Sequence, residues 1–271
     1  RDAEQEEKEQ RDMIEADLFS RPIAKDLSRD ELEAHFNLLP DRYFAHNSIE
    51  EVELHLRMVH DLLARIQNAE SLGALAPIID WKDNQEQGLS VVNVVTWDRA
   101  GLFYKLAGAL SVCGLNILST KAITRSDHIA IDTFYVVAPN GGVVTDDKTK
   151  QVFEEHVRTS LIEGKDLLEL IEKEARKQTS KFFQKSPAQL PVRFEPVVNV
   201  YHELSLKRTI IEVHATDNIG LLFNLSKIIT EHDFDITFAR IATENGIAND
   251  TFYIESIQEE EPLDNENLLR L

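Results

Sequence analysis

Asp132-Thr133-Phe134-Tyr135-Val136 and Asp250-Thr251-Phe252-Tyr253-Ile254 are the same strand-like phrase at two places 118 residues apart, and they decide how the rest of the chain reads. Upstream the offset becomes 119 and stays there. It pairs Asn116-Ile117 with Asp235-Ile236, and Leu102, Leu106 and Leu110 with Leu221, Leu225 and Ile229. It also pairs Gly101 with Gly220, Asp98 with Asp217, and Ile78-Ile79 with Val197-Val198. One residue is lost in the second hairpin. Spacing this constant is an internal repeat rather than chance periodicity.

One repeat contains enough signals to order its elements. Ala76–Trp81 and Leu89–Trp97 are short strand-like runs around a polar stretch. After Gly101, residues Leu102, Phe103, Leu106, Ala107, Leu110 and Cys113 fall on one helical face, and Gly114 is a helix stop. Strands Asn116–Thr124 and Ile129–Val137 follow, joined by Ser126-Asp127-His128. Asp146–Ile162 reads as an amphipathic helix that continues through the charged Glu163–Gln178. Strand, strand, helix, strand, strand, helix makes a two-layer α+β sandwich: a four-stranded antiparallel sheet with two helices on one face. This is the ferredoxin-like architecture, with the edge strand supplied first, by Ala76–Trp81, rather than last.

The chain therefore divides into a helical segment (1–74), a first repeat with its C-terminal helix (75–177), a linker (178–196) and a second repeat (197–271). The second repeat is expected to be cut short, since Asp264–Leu271 offers about two turns of its final helix. In the helical segment, Ser28-Arg29-Asp30-Glu31 and Ser48-Ile49-Glu50-Glu51 have the form of capping boxes. After the second box, Val52, Leu56, Val59, Leu63 and Ile66 make a helical stripe, and Pro40 ends or kinks any helix before it.

Composition narrows the function. A net charge of −19, from 29 basic and 48 acidic side chains, repels phosphate backbones and anionic lipid, so neither nucleic acid nor a membrane surface is expected as a partner. The acidity reads as a solvated surface before it reads as an acidic docking face. Cys113 is the only cysteine, which excludes an internal disulfide framework and a cysteine metal cluster and fits a reducing cytosol. No apolar run approaches the roughly 20 residues needed to span a bilayer. The opening Arg1-Asp2-Ala3-Glu4, without Met, suggests a fragment of a longer protein.

The chemistry-bearing feature is the strand-to-helix turn. A helix N-terminus presents unpaired N–H groups, a ready site for a ligand carboxylate, and a side-chain-free Gly101 or Gly220 lets the ligand reach the backbone. Asp98 or Asp217 could hold the ligand's ammonium, with Asn116 or Asp235 completing an amino-acid clamp. The structural alternative is that both aspartates are helix caps and both glycines serve close packing. Asp235, where the first repeat has Asn116, makes the second site the poorer one for a carboxylate. The histidines match no metal-ligand spacing; His60-Asp61 and His232-Asp233 lack the further ligands a phosphohydrolase centre needs. No Gly-rich phosphate loop and no Gly-x-Ser-x-Gly occurs, so neither catalytic residues nor a cofactor are expected.

Thr96-Trp97-Asp98-Arg99-Ala100-Gly101-Leu102 and Thr216-Asp217-Asn218-Ile219-Gly220-Leu221 resemble the strand-to-helix signature of ACT domains. With the paired Asp-Thr-Phe-Tyr segments and Leu39-Pro40-Asp41-Arg42-Tyr43-Phe44, they resemble the C-terminal part of the bifunctional uridylyltransferase and uridylyl-removing enzymes that modify protein PII. The resemblance covers about residues 35–258. It implies two ACT-type sandwiches that sense glutamine, in a cytoplasmic protein whose nucleotidyltransferase and HD domains come earlier. The nucleotidyltransferase motif is absent here, so catalysis, and PII as a partner, belong to the parent enzyme. The ligand contacts implied are Asp98, Arg99, Ala100, Gly101, Leu102, Asn116 and Ile117, with Asp217, Gly220, Leu221 and Asp235 in the second repeat. A stand-alone sensor of amino acids and a self-association module are the alternatives, and an intramolecular pair and a homodimer both stay open.

Overall fold

The computed structural model describes residues 3–68, 76–185, 194–203 and 208–256. Its contacts divide the chain into two compact units, residues 1–80 with 93–98 and 123–132, and residues 81–92 with 99–122 and 133–271.

In the first unit, local sequence signals set the helix starts. Ser28 and Ser48 each complete a reciprocal capping box, opening α3 (Arg29–Asn37) and α5 (Ile49–Ile66). Pro40, extended at φ −71°, separates α3 from the short α4 (Asp41–Ala45). Ahead of them run α1 (Ala3–Ser20) and α2 (Ile23–Asp26). Val52, Leu56 and Val59 of the α5 stripe are buried, with Leu63 and Ile66 packed against the same core. Phe36 and Phe44 stack at 4.7 Å inside it. This core is not helical alone: Ile78, Val95, Ile129 and Ile131 join it from strand segments.

A buried polar chain crosses the unit, and its direction is settled by one residue. A guanidinium can only donate, so Arg125 Nη1 donates to His35 Nδ1 at 3.2 Å. His35 Nε2–H then donates to Tyr43 Oη at 3.3 Å, and the Tyr43 hydroxyl donates to His55 Nδ1 at 2.8 Å. His55 Nε2–H ends the chain on Asn93 Oδ1 at 2.8 Å. Asp127 grips Arg125 through both carboxylate oxygens, at 3.0 and 2.8 Å. All five members of the chain are buried, so each relies on the others for its hydrogen bonds. Burial, then the Arg125 charge, hold His35 well below the usual histidine range.

The remaining elements are β1 (Ile78–Asn84), β2 (Leu89–Trp97), α6 (Leu102–Val112), β3 (Asn116–Thr124), β4 (Ile129–Val137), α7 (Asp147–Leu161) and α8 (Leu168–Lys185). The second repeat supplies β5 (Val197–Glu203), β6 (Arg208–Thr216), α9 (Leu221–Glu231), β7 (Phe234–Glu244) and β8 (Ile247–Ser256). The expected final helix at Asp264–Leu271 lies outside the described residues. The strand order β1-β2-β4-β3-β7-β8-β6-β5 is a palindrome of the two repeats. The architecture is the expected α+β pair of ferredoxin-like halves after a helical segment, with β1 and β5, the first strands of each half, at the edges. The halves share one sheet, joined antiparallel through Ser119↔Arg240, Thr120↔Ala239 and Lys121↔Phe238. In the same unit α6 packs on α9, where a Cβ on Gly108 would lie 2.8 Å from Phe223 Cδ2.

Two boundaries differ from the sequence reading. β1 extends past Trp81 to Asn84 because the turn closes late, with Asn84 Oδ1 accepting the Gln87 N–H at 3.0 Å. The helix from Asp147 does not continue to Gln178. It stops at Leu161, Gly164 takes a left-handed φ of +69°, and Asp166 Oδ1 caps Leu168 N–H at 2.9 Å to start a separate α8 that reaches Lys185.

The repeats diverge on one sheet face. Val95, Ile129 and Ile131 belong to the helical core; the residues in register with Val95 and Ile131 are His214 and Asn249, which hydrogen-bond each other at 2.6 Å. Only the first repeat carries the apolar face that the helical segment requires. Among the described residues no helix is long and apolar enough to cross a membrane.

Tyr43→Phe removes the central donor of the polar chain and is expected to cost about 1–3 kcal/mol, read from the urea unfolding midpoint. Neutral His35 is the folded form, so its contribution is present above about pH 6.5 and is lost as pH falls below that. Melting temperature should therefore drop on acidification, and His35→Gln should shrink that drop while lowering stability at pH 7.5.

Candidate functional site

The two strand-to-helix turns are built alike, hydrogen bond by hydrogen bond. Asp98 N–H donates to His128 O at 2.8 Å, and its counterpart Asp217 N–H to Gly246 O at 2.9 Å. Leu102 N–H reaches Arg99 O and Leu221 N–H reaches Asn218 O, both at 3.1 Å. Gly101 and Gly220 occupy the N-cap positions with φ of +73° and +88°, the left-handed region that a side chain disfavours. The aspartates are therefore not the N-caps, and neither helix has a side-chain cap there. That leaves the first N–H groups of two 11-residue helices without an acceptor from the cap side chain.

What lies over each glycine differs. A Cβ on Gly101 would meet the Tyr104 ring at 2.5 Å, a half-buried side chain one turn along the same helix. A Cβ on Gly220 would meet Ile171 Cγ2 at 2.5 Å, and Ile171 is a buried residue of α8. A tyrosine ring can swing away from the backbone; a buried isoleucine on a packed helix cannot without a cavity.

The other expected contacts take several roles. Asp98, grouped with the first unit, is exposed. Arg99 Nη1 donates to Leu161 O at 3.2 Å, holding a carbonyl at the end of α7. Ala100 is exposed, whereas Leu102 and Ile117 are core side chains. Asn116 opens β3 and is exposed, Asp235 is exposed near the start of β7, and Leu221 is half-buried. Asp217 is exposed, and its Oδ2 accepts from Thr243 Oγ1 at 2.9 Å.

Asp250 is a buried carboxylate to which motif reading gave no role. It lies on β8 between buried Ala248 and Phe252 and is 2% exposed. One carboxylate oxygen accepts a backbone N–H from Ala242, while Oδ1 has no partner. Burial, then the negative charge of Asp217, push its carboxyl up to about 7. The signal was present in the sequence: the alternation Ala248, Asp250, Phe252, Ile254 places a carboxylate on a strand's buried phase.

No family model matches the chain. It is similar to the bifunctional uridylyltransferase/uridylyl-removing enzyme of Rhodospirillum rubrum, 30% identical over 208 residues, which is 75% of this chain and 20% of that protein. The enzyme of the same name from Erythrobacter litoralis is 28% identical over 223 residues, 82% of this chain and 22% of its own length. That of Ectopseudomonas mendocina is 24% identical over 229 residues, 83% and 23% respectively. The chain spans about a fifth of the length of the curated relatives it matches.

Gly220→Ala combines a left-handed φ with the Ile171 clash and is expected to destabilise the fold by about 1–3 kcal/mol. Ile171→Ala should relieve the clash but not the backbone strain, so a double-mutant cycle in urea should show partial, not full, coupling. Folded Asp250 holds its proton up to about pH 7 against an ordinary 3.8, so its contribution is full at low pH and is lost as pH rises through 7. Asp250→Asn should therefore gain melting temperature relative to wild type at pH 8 and not at pH 4.

Proposed function

We propose that this chain, which belongs with the bifunctional uridylyltransferase/uridylyl-removing enzymes over a part of their length, is the amino-acid-sensing portion of such an enzyme, with two ACT-type halves and glutamine as the favoured ligand. The observation that carries this reading is the duplicated turn: a left-handed glycine at the cap of each helix, with N–H groups that a ligand carboxylate can accept as partners. The first turn is the better carboxylate site, since Tyr104 over Gly101 is movable and Asn116 is neutral, whereas Ile171 covers Gly220. Uridylyl transfer and removal, and any engagement of PII, belong to parts of the enzyme outside these residues. Ligand binding would act on them by its difference in affinity between two arrangements of the protein, since a ligand that binds both equally shifts nothing.

A self-association module is the second reading, favoured by the edge strand β5, where Val197, Val198, Val200 and Tyr201 are exposed.

Calorimetric titration with glutamine and a panel of other amino acids separates the two. Micromolar-to-millimolar binding that weakens about tenfold or more in Asp98→Ala and Asn116→Ala, a change of about 1.4 kcal/mol, is the expected result. Silence across the panel, together with concentration-dependent dimers in sedimentation, would leave the second reading standing instead.

A further inference from the structure

Asp250 is a carboxylate that the fold buries with no counter-charge among the described residues. It is pinned on an inner strand, in register with Val213 of β6 and Ile241 of β7, so fraying cannot release it to water. At 2% exposure its Oδ1 has no hydrogen-bond partner, and among the described residues no cation lies within ion-pair distance. The charge that acts on it is another carboxylate, Asp217, which Thr243 Oγ1 tethers at 2.9 Å at the turn entering α9. A buried anion with neither cation nor full hydrogen bonding is costly, and a fold that retains one has a use for the negative charge or keeps the group protonated. The counterpart in the first repeat, Asp132, is as deeply buried but is engaged by a partner. The orphaned oxygen is thus a property of the second repeat, not of the repeated motif.

Ile171 closes the backbone at Gly220, the approach a ligand carboxylate would need. The second turn then offers negative charge and little else.

We propose that Asp250 and Asp217 form a subsite for a primary ammonium group, with Asp250 Oδ1 as the buried acceptor and Asp217 as the exposed one. An ammonium carries three N–H donors and no acceptor, which suits two carboxylates lacking a cation. With its carboxyl pushed up to about 7, the unoccupied Asp250 retains part of its proton near neutral pH, and entry of the ammonium releases that share to solvent. The subsite rests on the amino-acid-sensing reading for the identity of the ligand, and not for the charge of the group that binds.

The test follows the Asp250 carboxyl by carbon-13 NMR in the 271-residue chain labelled at aspartate, with the signal assigned by its loss in Asp250→Asn. Titrations run without additive, with methylammonium chloride, with sodium chloride at equal ionic strength, with L-glutamine, and with the 2-oxo analogue that lacks the ammonium. Methylammonium and L-glutamine should lower the Asp250 midpoint by about one unit or more, while sodium and the 2-oxo analogue leave it in place. Asp217→Asn should lower the midpoint in the unliganded chain and blunt the methylammonium effect. Methylammonium acting where glutamine does not would keep the subsite and remove glutamine as its ligand. Glutamine binding seen by calorimetry with an unmoved Asp250 midpoint would overturn the subsite and leave the sensing reading intact. A midpoint that sodium moves as far as methylammonium does would also overturn it.

Discussion

The pairing of β3 with β7 is the contact on which the arrangement of the two repeats depends. A ferredoxin-like half ends in an open strand whose N–H and C=O groups look for partners. Joining the two such edges in register, Thr120 opposite Ala239, turns two small sheets into one of eight strands. Gly108 then matters as much as the strands do, because its missing side chain lets the ring of Phe223 and the helix behind it come close enough for both helices to lie on the same sheet face. The remaining edges, β1 and β5, are treated differently. Trp81 of β1 is met edge-on by Phe153 of α7 at 5.5 Å, whereas β5 keeps Val198 53% exposed.

Duplication followed by divergence explains much of the chemistry. The turns remain nearly superimposable in their hydrogen bonds, as backbone geometry dictated by a left-handed glycine must. Side chains around them have drifted. A movable Tyr104 ring lies over one glycine and the buried Ile171 over the other. Asp132 has found a partner, whereas Oδ1 of Asp250 has not. The pair is thus two turns of unlike surroundings on a common frame.

The side chains around Val95 and Ile131 and their counterparts show the same drift with a structural outcome. Val95 and Ile131 in the first repeat are core residues shared with the helical segment, while His214 and Asn249 in the second satisfy each other. The polar chain from Arg125 to Asn93 runs through that shared core, so the first unit depends on an oriented hydrogen-bond path as well as on apolar contact. Its orientation follows from the guanidinium alone, since no acceptor exists at that end.

The sequence by itself determined the repeat, the α+β class, the bounds of β2, β3 and β4, and the starts of α3 and α5. These rest on strand alternation and on Ser-x-x-Glu boxes, signals confined to a few neighbouring residues. The break after Leu161 escaped because a charged stretch is compatible with continuous helix, and only Gly164 and the Asp166 cap decide otherwise. Tertiary structure alone decided that Ile171 seals Gly220, that Arg125 reaches His35 across 90 residues, and that Asp250 Oδ1 has no hydrogen-bond partner among the described residues. Each of these depends on which distant side chain arrives beside a group. Local periodicity specifies the face a residue occupies but not what stands opposite it.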